Sequence, residues 1–180
     1  MKKVISILLI TCMLFSVTGC FAKNDMKPVS TPAEKIFSID SYNLQITADS
    51  TFYDKTGGNF DLQITNDGSY ISVMAYKYID LPNDLKPADV FDMQNDDIFS
   101  RRDNVALIED VKKETLSKSQ VTYSLYSAEK DGTKNYYATY LVDFPEKERF
   151  AWVLITGMPS YLDSNREYLH SIVCSLETTD

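Results

Sequence analysis

Residues 120–144, QVTYSLYSAEKDGTKNYYATYLVDF, restrict the fold more than any other stretch of the chain. Two runs rich in β-branched and aromatic residues flank Asp131-Gly132, and an Asp-Gly pair accepts the positive φ that a tight hairpin turn demands. The spacing predicts antiparallel strands over Gln120–Ala128 and Asn135–Phe144. A second hairpin signal, Asn66-Asp67-Gly68, joins Phe60–Thr65, where Phe60, Leu62 and Ile64 alternate with polar residues, to Tyr70–Tyr78. Ile36–Ile46 holds two short alternating pieces broken at Asp40-Ser41. Phe150–Thr156 (FAWVLIT) is almost wholly apolar and suits a central strand covered on both faces, while Ala106–Lys112 is a further strand candidate.

Two helices interrupt these strands. Pro87 suits the first turn of one, because its missing N–H would have no intrahelical partner there. That helix is expected to run to about Arg102 and to bury Val90, Phe91, Ile98 and Phe99. Ser160-Tyr161-Leu162-Asp163 has the S-x-x-D spacing of a capping box. The stripe Leu162, Leu169, Ile172, Val173 and Leu176 then follows a helical period. Helices set among hairpin-linked strands imply an α+β fold, with an antiparallel sheet and helices packed on it.

The first residues speak to location. Lys2 and Lys3 precede an apolar run from Val4 to Val17, about fourteen residues, where a membrane span needs about twenty. The run fits the apolar region of a signal peptide. It ends at Val17-Thr18-Gly19-Cys20, which resembles the lipobox of bacterial lipoproteins, where a cysteine thiolate accepts a diacylglyceryl group. The expected organisation is a signal peptide over 1–19, lipidated Cys20 with a polar tether over 20–35, and a single domain over 36–180. The tether carries Pro28 and Pro32; extended it reaches at most about 55 Å, and as a flexible coil it averages about 20 Å. A domain so held sits on the extracytoplasmic face of a membrane.

Charge and cysteine content agree with that address. The formal net charge is −8, and removal of residues 1–19 with two lysines and no acid makes it −10. Such a chain repels nucleic acid and anionic headgroups, so no nucleic-acid partner is expected and lipid must supply the membrane contact. Cys12 leaves with the signal peptide and Cys20 is consumed by lipid, so Cys174 has no partner for an internal disulfide.

The order of elements, with the LP…LKPADVF segment before the first helix, the FAWVLIT strand and the closing SNREYLHSIVCSLE helix, resembles the PsbP-like and DcrB-like family over most of residues 36–178. The resemblance implies an α/β/α sandwich on a mainly antiparallel sheet with two principal helices. It also implies an assembly or binding accessory without a shared catalytic constellation, and it carries over no functional residue.

The side chains offer little catalytic chemistry. No nucleophile elbow, zincin motif, phosphate loop or dinucleotide fingerprint is present, so neither an enzyme nor a cofactor is expected. His170 and Cys174 stand four residues apart on one helix face, the spacing of a nucleophile–base pair or half a metal site. Counting Cys and His finds no further ligand, and packing is the favoured reading of the pair. Asp89, Asp92 and Asp96 share one side of the first helix and are candidate ligands for a divalent cation such as calcium, or a solvated face. Tyr123, Tyr126, Tyr136 and Tyr140 lie on the strands of the long hairpin as a possible interaction surface, since tyrosine joins apolar area to a polar tip. The expected function is a non-enzymatic, lipid-anchored accessory protein that binds an envelope protein at the membrane surface. The alternative is a module for a small ligand or divalent cation.

Overall fold

The computed structural model describes residues 32–82 and 85–180. The segment expected to be a signal peptide, Cys20 and the expected tether as far as Thr31 lie outside the described residues. Among the described residues, ten strands and two α-helices follow in order: β1 (Glu34–Ile39), β2 (Leu44–Asp49), β3 (Tyr53–Asp54), β4 (Leu62–Thr65), β5 (Ser69–Lys77), α1 (Pro87–Phe99), β6 (Asp103–Thr115), β7 (Gln120–Lys130), β8 (Thr133–Phe144), β9 (Arg149–Gly157), α2 (Pro159–Cys174) and β10 (Glu177–Thr178). β1 begins at Glu34, inside the segment read as tether.

Seven strands form one antiparallel sheet in the order β3-β4-β5-β9-β8-β7-β6. β9 is central and buried from Phe150 to Ile155, as its continuous apolar run requires. Its alternate residues feed two cores. Ala151, Val153 and Ile155 meet Leu162, Leu169, Ile172 and Val173 of α2 together with Phe37, Leu44 and Ile46 of the first strands. Phe150, Trp152 and Leu154 meet Val90 and Phe91 of α1 on the opposite face. The result is the expected sandwich, with a helix on each face of an antiparallel sheet. A three-stranded sheet, β1-β2-β10, adds to the α2 layer.

The long hairpin turns at Asp131 and Gly132, which have φ of 52° and 73°, the positive values its sequence demands. The shorter turn works differently. Asp67 takes the positive φ of 65°, while Asn66 Oδ1 accepts the backbone N–H groups of Gly68 and Ser69. Gly68 is needed for another reason: a Cβ there would lie 2.3 Å from the Tyr161 ring. The expected capping box of the second helix is absent. Pro159 is the first helical residue and Met158 the N-cap, without a side-chain cap, and Asp163 pairs with Arg166 at 2.8 Å instead. α1 stops at Phe99, and its Asp89 carboxylate accepts the Lys86 N–H at 2.8 Å.

Candidate functional site

α2 crosses the sheet above β6, β7, β8 and β9, and the space beneath it is incompletely filled. A cavity of about 170 Å³ lies between Tyr123, Leu125, Ala138, Tyr140 and Ile155 from the sheet and Leu162, Leu169 and His170 from the helix. An apolar cavity of about 150 Å³ accepts a benzene-sized molecule. The rim is charged. Glu109 on β6 pairs with Lys112 at 2.7 Å and with Arg166 of α2, so the edge strand and the helix are joined across the mouth.

Strand register explains how β6 reaches the helix. Its pairing with β7 shifts between Asp103 and Ala106, between Leu107 and Glu109, and between Glu109 and Lys112. Such bulges bend a strand and re-aim its side chains. Glu109, Lys112 and Glu114 come opposite Leu125, Tyr123 and Val121, and so face α2, whereas Leu107 opposite Tyr126 shares the face of α1.

At the end of α2 the structure brings Glu114 to the His170–Cys174 pair. His170 Nε2 lies 3.0 Å from Glu114 Oε1, the Cys174 thiol donates to the same oxygen at 3.2 Å, and Sγ and Nε2 are 3.4 Å apart. His170 leans on Tyr123, ring centroids 4.9 Å apart, and on Tyr140 at 5.8 Å, and the two tyrosines stack at 5.4 Å. Burial, then the hydrogen bond and charge of Glu114, push the Cys174 thiol up to about 12. A cysteine held as a thiol at neutral pH is not an activated nucleophile. Burial, with the neighbouring Cys174, Tyr123 and Glu114, likewise raises the Tyr140 hydroxyl.

The four hairpin tyrosines do not share one surface. Tyr140 is buried and Tyr123 and Tyr136 are half-covered on the α2 side. Tyr126 lies on the other face, 4.4 Å from the Phe99 ring of α1. Asp89, Asp92 and Asp96 are exposed along α1. Among the described residues, the only group of three ligating side chains within reach of one another is Glu114, His170 and Cys174. Sequence reading missed Glu114 because a carboxylate on a bulged strand has no fixed spacing to a helix 56 residues away.

Exposed apolar side chains gather elsewhere. β6 is the edge of the large sheet. Along it Val105, Leu107, Ile108 and Val111 are 42–52 % exposed.

No family model matches the chain, and no curated protein matches it in sequence. The fold does have solved counterparts. Cyanobacterial PsbP (CyanoP) from Synechocystis sp. PCC 6803 is similar with a TM-score of 0.60 at 9 % identity, over 84 % of this chain and 95 % of that one. The Ran-binding protein Mog1p of Saccharomyces cerevisiae is similar with a TM-score of 0.58 at 9 % identity, over 83 % and 97 %. The domain has a PsbP-like fold. At this identity the likeness speaks for the fold alone.

Proposed function

We propose that this chain is a non-enzymatic, lipid-anchored accessory protein of the extracytoplasmic membrane face, and that it binds an envelope protein through β6. The carrying observation is the row of exposed Val105, Leu107, Ile108 and Val111 on an edge strand. Apolar residues gathered on a surface and rimmed by charge, here Asp110, Lys112 and Lys113, mark interaction sites. The bulges interrupt the edge where two copies would otherwise pair backbone to backbone. The net charge of −10 that remains after removal of residues 1–19 further opposes a second copy. The similar fold of Mog1p, a Ran-binding protein, supports the use of this fold in protein recognition.

The anchor rests on the sequence Val17-Thr18-Gly19-Cys20. Two acyl chains on Cys20 would hold the domain stably, since each buried methylene contributes about 0.8 kcal/mol. The test is in-cell crosslinking of the intact chain, followed by fractionation and mass spectrometry. The expected result is membrane recovery with one enriched envelope protein, and loss of membrane recovery in Cys20→Ala. Recovery of the chain without any partner, or membrane retention of the variant, would contradict the reading.

A further inference from the structure

We propose that Glu114, His170 and Cys174 form a binding site for a divalent transition-metal ion of the zinc type. Three donor atoms of three chemistries converge from two elements: a sulfur and an imidazole nitrogen one turn apart near the end of α2, and a carboxylate oxygen near the end of β6. Their separations of 3.0, 3.2 and 3.4 Å form a small triangle. A tetrahedral ion with bonds of about 2.0 Å to oxygen and nitrogen and about 2.3 Å to sulfur sets its ligands about 3.3–3.6 Å apart. Each side of the triangle therefore opens by only a few tenths of an ångström to admit the ion.

The donor set also selects the ion. Calcium and magnesium take oxygen ligands, and one carboxylate cannot satisfy them. Sulfur, nitrogen and oxygen together suit a borderline ion such as Zn²⁺. The surroundings hold the set in place, because His170 is fixed by contact with Tyr123 and Tyr140. Cys174 loses its proton to solvent on binding, as a metal thiolate requires. Three protein ligands leave a fourth position for water or a small anion. The bound ion ties the end of β6 to α2.

Cobalt(II) reports such a site directly, since a cobalt–thiolate bond gives a near-ultraviolet charge-transfer band. In the full chain carrying Cys12→Ser and Cys20→Ser, Cys174 is the only thiol. Titration with Co²⁺ should give that band together with the visible bands of four-coordinate cobalt at one equivalent. Zn²⁺ should remove both, and excess Ca²⁺ should change neither. Cys174→Ser should abolish the charge-transfer band. Glu114→Gln and His170→Gln should move the titration to higher Co²⁺, with melting temperatures in chelator close to that of the parent. Glu114→Gln replaces a half-exposed strand residue by an isostere, so it tests the site even if a change at Cys174 disturbs packing. Absence of the band in the parent, or a titration unmoved by both Glu114→Gln and His170→Gln, would overturn the proposal.

Discussion

Single positions show how local chemistry sets the site. Gly68 and Gly157 together admit the first turn of α2: a Cβ on Gly68 would strike the Tyr161 ring, and one on Gly157 would meet Leu162 and the Gly68 carbonyl oxygen at 2.8 Å. The Asp-Gly pattern identified the first turn correctly, yet its reason for glycine lies in Tyr161, 93 residues away in sequence, and no local pattern shows that contact. Gly68→Ala should cost about 1–3 kcal/mol, as overpacking does, and should cost almost nothing in a Tyr161→Ala background. Denaturant unfolding of the four proteins of that cycle measures the coupling. Asp143 gives a pH-dependent counterpart. Burial raises its pKa, against the opposing hydrogen bonds from the Tyr78 hydroxyl and the Phe144 N–H. A carboxyl raised on folding favours the fold when protonated, below its unfolded pKa, and that contribution is lost as pH rises through the folded value. Asp143→Asn should therefore melt higher than the parent at neutral pH, with the difference vanishing as pH falls through the carboxyl range. A difference that grows in acid would refute this assignment.

Among the elements, those fixed by local pattern were the legible ones. The long hairpin and the central strand follow from residue alternation and Asp-Gly turn chemistry, and both helices from their apolar period. The sequence pattern marks β6 only over Ala106–Lys112, yet the strand runs for 13 residues from Asp103 to Thr115. Its bulges break the alternation that would have revealed its length, and most of its residues are exposed. The N-terminus of α2 was misread because Ser160 has cap-like spacing to Asp163, but Pro159 already occupies the first helical position. Ser160→Ala should consequently change stability by less than about 0.5 kcal/mol, as for an ordinary surface substitution, where loss of a true N-cap costs about 1 kcal/mol. Thermal unfolding separates the two values.

Over the whole molecule, the least legible feature is β10, which completes the three-stranded sheet of the α2 layer. β10 is two residues long and pairs with β2 across more than 130 positions of sequence, with Gln45 donating to Glu177 at 2.7 Å. Asp180 is held by Asn43 and Arg149. A segment so short carries no period, and its partner is set by where α2 delivers the chain. Deletion of residues 177–180 should lower the melting temperature while leaving the large sheet intact, which far-UV circular dichroism and a melt would show together. The same architecture leaves β6 as an edge strand with four exposed apolar residues, Val105, Leu107, Ile108 and Val111, and partner binding is the function proposed for it. The measurement that decides this is in-cell photocrosslinking from Leu107 and Val111 on β6, compared with exposed Met93 on α1. Crosslinks from both β6 positions to one envelope protein, and none from Met93, are predicted. Equal yields from the three positions, or products containing only a second copy of the chain, would contradict the account.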